Sequence, residues 1–161
     1  MFNIRTATPE DYDQIWDIIK EVISKGDTYA FDPNSSKQAM LEYWCGDDRH
    51  TYVATDNGEI VGSFVIKDNQ PGLGSHIANA GYMVTEKAAG KGIGRAMGEF
   101  SLEEAKRLGY IGMQFNIVVK SNTRAVQLWQ KLGFSIIGEI PDAFNHKQLG
   151  LTNAYIMYRK L

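Results

Sequence analysis

Residues 88–98 read AAGKGIGRAMG and stand between a strand-like run and a helix-like run. The run before them, residues 77–84, is IANAGYMV. After them Ile93, Ala96, Met97, Phe100 and Leu108 recur on one helical face, which Gly109 ends. A strand, a glycine-rich turn and a helix start bring unpaired N–H groups and the positive helix end to one point. Glycine removes the Cβ that would hold an anion away. The segment asks for an α/β arrangement with a phosphate at the turn.

The flanking sequence supplies the remaining elements. Residues 2–6 alternate apolar and polar, as a half-buried strand does. Thr8, Pro9 and two acids then open a helix carrying Ile15, Ile18, Ile19 and Val22, with Gly26 at its end. Residues 27–34, DTYAFDPN, read as a loop, and Ser35–Gln38 as a capping box opening a second helix to about Cys45. Strand-like runs at 51–55 and 60–67 flank Asp56-Asn57-Gly58, a hairpin turn signal. Residues 111–119 read as a strand. Asn122 opens a helix with Ala125, Leu128, Trp129 and Leu132 on one face. Two last strands, 134–140 and 154–158, are expected around a loop at 141–153. The order β-α-α-β-β-β-α-β-α-β-β predicts an α/β fold with a mixed sheet of about seven strands and four helices, in one domain over 1–161.

Composition narrows the function classes. A 161-residue chain that is 43% hydrophobic can build a core without staples. Its net charge of -2 lacks the basic footprint of a nucleic-acid binder. No apolar run approaches the roughly 18 residues of a membrane span. The first residues lack the layout of a signal peptide. The lone Cys45 excludes an internal disulfide and a multi-cysteine metal site, and it reads as a half-buried helix residue. We expect a cytoplasmic protein with no nucleic-acid, membrane or metal partner.

Three phosphate ligands can be compared. A nucleoside triphosphate loop needs Gly-x-x-x-x-Gly-Lys-Ser/Thr, which the chain lacks. A dinucleotide loop needs a third glycine where Met97 stands, and an N-terminal position. The pyrophosphate of coenzyme A is the third. Tyr82-Met83-Val84 followed by Ala89-Gly90-Lys91-Gly92-Ile93-Gly94 resembles the acetyl-CoA signature of the GNAT acetyltransferases, Arg/Gln-x-x-Gly-x-Gly/Ala. Residues 122–134, NTRAVQLWQKLGF, resemble the second signature of that family, Asn-x-x-Ala-x-x-Leu-Tyr-x-x-x-Gly-Phe. The expected element order matches the family over essentially the whole chain.

The resemblance implies a splayed strand before the turn, with the backbone of Tyr82, Met83 and Val84 pairing with the pantetheine arm of acetyl-CoA. The amides from Ala89 through Gly90, Lys91, Gly92, Ile93, Gly94 and Arg95 would hold the pyrophosphate. Asn122 would contact the cofactor or simply cap its helix. Two positions depart from the signatures. Ala89 replaces the Arg/Gln, leaving Lys87, Lys91 or Arg95 to supply charge. Trp129 replaces the Tyr that serves many relatives as general acid, and an indole does not titrate usefully. Trp129 is expected as an apolar wall beside the thioester.

An acceptor amine with a pKa near 10 is mostly protonated at neutral pH, so a base or water relay is useful. Residues 75–84 carry no carboxylate, and His76 reads as a surface or structural residue. Asn79 can orient a water or an amine. The backbone N–H near Met83 is the expected oxyanion donor. Asn116 reads either as a satisfied buried polar group or as a substrate contact. Asn79, Asn116 and Asn122, with Leu128-Trp129 and the ending at 141–158, resemble the subgroup that N-acetylates azetidine-2-carboxylate and other proline analogues. That resemblance implies substrate contacts at Asn79 and Asn116. Phe144 and His146 read either as substrate-loop residues or as residues that simply pack the loop, with Tyr29 and Phe31 as an opposite wall. The family resemblance also implies a homodimer through the C-terminal strands. The competing readings are a GNAT acting on another amine (a herbicide-like amino acid, a polyamine or a protein) and a non-catalytic acyl-CoA sensor.

Overall fold

Residues 60–66 are buried without alternation, which a strand shows only when both its faces are covered. They form an interior strand of a seven-stranded sheet. The computed structural model describes residues 2–161. Its elements are β1 (Phe2–Thr6), α1 (Tyr12–Ser24), α2 (Lys37–Cys45), β2 (His50–Asp56), β3 (Glu59–Asp68), β4 (Ile77–Val84), α3 (Ile93–Arg107), β5 (Gly112–Val119), α4 (Thr123–Lys131), β6 (Ser135–His146) and β7 (Gly150–Lys160). This is the order and number the sequence predicts.

The strands lie in the order β1-β2-β3-β4-β5-β7-β6. Every neighbouring pair is antiparallel except β4 and β5, so the sheet is mixed. One face carries α1 and α2. There Ile15, Ile19 and Trp44 pack with Val53, Val65 and Met83. The other face carries α3, where Met97 and Leu102 pack with Phe64, Ile66, Ala78 and Met113. Burying aliphatic and aromatic side chains of this size stabilises the fold by about 1.5–3 kcal/mol each.

Local chemistry sets several boundaries. Asp11 accepts the Thr8 N–H at 2.8 Å and both terminal nitrogens of Arg5, at 2.7 and 2.9 Å, tying β1 to the entry of α1. The Ser36 hydroxyl caps α2 by accepting the Ala39 N–H at 3.1 Å. Asn57 and Gly58 take positive φ, 51° and 83°, which closes the β2–β3 hairpin as expected.

The C-terminal hairpin departs from expectation. Residues 141–153 are not a loop: β6 runs to His146 and β7 starts at Gly150. Pro141 is accommodated because β6 is an edge strand paired only with β7. Asp142 takes φ +54° inside a register slip between Ile140 and Phe144, and its N–H donates to Asn153 Oδ1 at 3.0 Å. The bulge lets pairing resume beyond the proline.

Candidate active site

The sheet opens at β4 and β5. Their parallel pairing covers only Ile77 with Gly112 and Ala78 with Met113. At the next residue, the Asn79 side-chain amide donates to the Gln114 carbonyl at 3.0 Å. A side chain thus occupies the place of the next ladder bond, at the fork of the splay. β5 also loses register with β7 between Phe115 and Val118, so Asn116 and Ile117 pair with neither neighbour.

The gap holds a cavity of about 350 Å³. On the α1/α2 side its wall includes Tyr29, Phe31, Tyr43, Trp44, Lys67 and Asn79. On the α4 side it includes Phe115, Val118, Asn122, Ala125 and Trp129, with Tyr82 and Asn116 between. The aromatic residues brace one another: Tyr29 stacks on Phe31 at 5.7 Å, and Tyr82 and Phe115 each lie 4.7 Å from Trp129 between centroids. Gly81 permits the close wall. A Cβ there would stand 3.3 Å from Trp44 Cη2 and 3.6 Å from the Tyr29 hydroxyl.

The Tyr29 hydroxyl reaches the outward edge of β4. It accepts the Tyr82 N–H and donates to the Tyr82 carbonyl, both at 2.6 Å. These are the groups that a ligand lying along the strand would use. Burial pushes the Tyr29 phenol above its ordinary range, so it stays protonated. The Tyr82 phenol is likewise raised by burial and is linked to Ser101 Oγ at 2.6 Å, away from the cavity.

The glycine turn lies beyond β4. A helical turn at Glu86–Ala88 leads into Gly90 and Gly92, with φ of +79° and +83°. Nothing lies within 4 Å of a Cβ placed at either glycine. The first bond of α3 runs from the Ala96 N–H to the Gly92 carbonyl, at 3.0 Å. The Ile93, Gly94 and Arg95 amides therefore precede the helix ladder, and the cap residue Gly92 offers no side-chain acceptor. An open concavity of free amides at a positive helix end fits a pyrophosphate. Lys87 is paired with Glu59, and Arg95 with Glu99 at 2.9 Å. Lys91 is the remaining cation of the three. Ile93 is buried and anchors α3 in the core.

Several expected residues sit differently. Asn116 is exposed rather than buried; it donates to Asn69 Oδ1 at 2.8 Å and accepts from Gln114 Nε2 at 2.9 Å. Met83 is buried against α1 and α2. Its N–H follows the parity of Thr85, whose N–H donates to the Val61 carbonyl on β3, so it points away from the gap. Phe144 and His146 do not line the cavity. His146 Nδ1 accepts the Gln148 and Leu149 N–H groups, both at 3.1 Å, and closes the β6–β7 turn. Asn122 caps α4, accepting the Ala125 N–H at 3.4 Å, while also lining the cavity. His76 is exposed at the start of β4, outside the cavity wall.

Lys67 and Tyr43 are absent from the sequence expectations. Each was legible only as an ordinary element end: strand register opposite Asn79 brings Lys67 to the cavity, and the packing of α2 on the sheet brings Tyr43. Among the described residues, no Asp, Glu, His or Cys lines it. Cys45 lies outside, and burial pushes its thiol up to about 11. The site can bind, orient and polarise, but it holds no side chain with an ordinary pKa near neutrality.

The GNAT acetyltransferase family model matches residues 13–134. The chain belongs to the GNAT acetyltransferase family. The resemblance read from the two signatures, the fold and the acetyltransferase class are thereby borne out. This GNAT chain is 40% identical to the N-acetyltransferase aca1 of Schizosaccharomyces pombe over 98 residues, which cover 60% of this chain and 47% of that protein. The aligned part thus spans about half the length of that relative. A GCN5-related N-acetyltransferase from Kribbella flavida superposes with a TM-score of 0.94 at 39% identity, covering 99% of this chain and 98% of that one. A phosphinothricin acetyltransferase from Sinorhizobium meliloti, solved with acetyl-CoA, shares the fold at 21% identity, with a TM-score of 0.88 and coverage of 99% and 88%. No helix among the described residues is long and apolar enough to cross a membrane.

Proposed function

We propose that the chain transfers the acetyl group of acetyl-CoA to the amine of a small molecule, with a cyclic secondary amino acid such as azetidine-2-carboxylate or a proline analogue as the leading acceptor class. The observation that carries this reading is the splayed β4–β5 gap. Its cavity is lined by Asn79 and Asn116 together with Asn122 and Trp129, and β4 leads on into the open glycine turn, which supports an acceptor site next to a cofactor site.

The roles follow from placement. The amides of residues 90–95 bind the pyrophosphate. The outward edge of β4 at Tyr82 receives the pantetheine arm and thioester once the Tyr29 hydroxyl yields its place. The amine nitrogen attacks the thioester carbonyl carbon. A C–N bond forms, the C–S bond breaks, the amine proton leaves through water, and the thiolate takes a proton to give free coenzyme A. Tyr82, rather than Met83, supplies the N–H for the developing oxyanion, because the Met83 N–H faces β3. Asn79 and Asn116 orient the amine without titrating. Trp129 forms an apolar wall and excludes water.

A cytoplasmic location is part of this reading, consistent with a lone unpaired cysteine. So is a homodimer through the C-terminal strands: β6 is an edge strand that exposes Ile136, Ile137 and Ile140.

The test is thiol release from acetyl-CoA across an amine panel of azetidine-2-carboxylate, proline, phosphinothricin, spermidine and a peptide N-terminus. Acceptor-dependent release with the cyclic amino acid, lost in Asn79→Ala and Asn116→Ala, is the expected result. Cofactor binding with no acceptor-dependent release would favour an acyl-CoA sensor. Intact turnover in both variants would refute the roles of the two asparagines.

A further inference from the structure

Among the described residues, Lys67 is the one cationic side chain in the wall of the acceptor pocket, and no carboxylate lines that pocket. It is the penultimate residue of β3 and stands directly opposite Asn79 of β4. Strand alternation places both on the α1/α2 face with Ser63, which the Trp44 indole contacts at 2.9 Å. Lys67 is half-buried, and its ammonium lies 4.8 Å from the centroid of the Tyr43 ring.

The acids nearby are already engaged. Asp48 pairs with Arg49 at 2.7 Å. Asp68 accepts from the Tyr110 hydroxyl at 2.6 Å, and as the next residue along β3 it points to the opposite face. Among the described residues Lys67 forms no ion pair. A cation over an aromatic face, in a pocket otherwise lined by neutral amides and rings, attracts an anion and repels a second cation.

We propose that Lys67 is the specificity-determining residue of the acceptor pocket, binding an acidic group carried beside the amine, so that the acceptors are amino acids rather than simple amines or polyamines. This rests on the acetyl-transfer reading above. The spacing supports it. Lys67 and Asn79 face each other across an antiparallel pair, where Cβ atoms stand roughly 4.5–5.5 Å apart. Asn79 spends its Nδ2 on the Gln114 carbonyl, which leaves Oδ1 to accept an N–H. An acceptor of amine N–H and a binder of carboxylate thus stand side by side, as the two groups do on one α-carbon. A dication such as a polyamine meets a positive charge there and finds no carboxylate.

The experiment compares L-azetidine-2-carboxylate, L-proline and phosphinothricin, each with its neutral amide at the acid group, on wild type, Lys67→Gln and Lys67→Arg. The wild type should favour each accepted acid over its amide by about tenfold or more in kcat/KM referred to the neutral amine, since losing the carboxylate charge lowers the amine's own pKa. Lys67→Gln should erase that preference mainly through KM, leaving the amide within about twofold and the acetyl-CoA Kd and melting temperature unchanged. Lys67→Arg should restore much of it, because the charge is kept. Equal use of acid and amide by the wild type, or an equal loss for both in Lys67→Gln, overturns the proposal. If no amine gives thiol release, the acetyl-transfer reading fails, and calorimetric titration of the same acids and amides decides the point about Lys67. Acid-selective binding that Lys67→Gln abolishes supports it. Binding without acid preference, or no binding of any acid, overturns it.

Discussion

The Tyr29 hydroxyl stands 2.6 Å from both the backbone nitrogen and the carbonyl oxygen of Tyr82. A hydroxyl is donor and acceptor at once, so one side chain satisfies both outward groups of a strand that has lost its neighbour. Tyr29 thereby does for β4 what an added strand would do.

This relationship makes Tyr29→Phe informative in two opposite directions. Removing the hydroxyl leaves the Tyr82 groups to water and should lower folding stability by about 1 kcal/mol. The same change removes a competitor for the pantetheine arm. Acetyl-CoA should then bind about fivefold tighter, since roughly 1 kcal/mol no longer goes into displacing Tyr29. Thermal melts and calorimetric titration read the two effects separately. An unchanged or weaker Kd would show that the hydroxyl does not compete with the cofactor.

The glycine cradle yields a second prediction. Gly92 holds φ +83°, and a Cβ there would enter open space. Gly92→Leu places bulk where a phosphate would lie and also strains the backbone. We expect the acetyl-CoA Kd to rise about tenfold or more, against less than about threefold for Lys91→Ala, because amides rather than one exposed cation make the grip. Gly92→Asn separates the causes, since Asn tolerates the left-handed region. It should keep the fold and still weaken binding. Near-wild-type affinity in Gly92→Leu would remove the turn from the cofactor site.

Much of this site was legible in the sequence because its signals are local. A strand, a glycine turn and a helix start are contiguous, and residues 122–134 carry a cap, an apolar face and a terminal glycine within one helix. Lys67 was not legible, because its meaning comes from register with Asn79 across a hairpin. The buried reading of Asn116 failed for a related reason. Flanked by Phe115 and Val118 it reads as buried, but the loss of pairing on both sides of β5 turns it outward. The 141–153 segment has the composition of a loop, and only the bulge at Asp142 carries the strand past Pro141. His146 follows from that error: in a loop it reads as a substrate contact, whereas in a hairpin it closes the turn.

Asp11 gives a prediction about acid stability. Its carboxylate is buried, and the Arg5 guanidinium beside it holds its pKa below the ordinary carboxylate range. A depressed folded-state pKa contributes stability that is present above the unfolded value of about 3.9 and is lost as pH falls through the folded one. Asp11→Asn should cost about 1–2 kcal/mol at pH 7, allowing for the partly exposed Arg5. The cost should shrink as pH falls below about 4. Urea unfolding of wild type and variant from pH 7 to pH 3 measures it. A pH-independent difference would mean that lost packing, not the ion pair, accounts for the effect.

The pH dependence of turnover tests the absence of an enzyme base. The titratable side chains lining the cavity are Tyr29, Tyr43, Tyr82 and Lys67. Burial holds Tyr29 and Tyr82 above the ordinary phenol range, so neither can take a proton from an amine at neutral pH. Under this reading only the neutral fraction of the acceptor reacts, and that fraction grows tenfold per pH unit below the amine's own pKa. With azetidine-2-carboxylate, log kcat/KM should rise by about one unit per pH unit from pH 6 to pH 9, with no inflection near 7. An acceptor amine of lower pKa should shift the whole profile to lower pH by the difference between the two amines. A plateau that begins near pH 7 and ignores the amine's pKa would require a base that these residues do not provide.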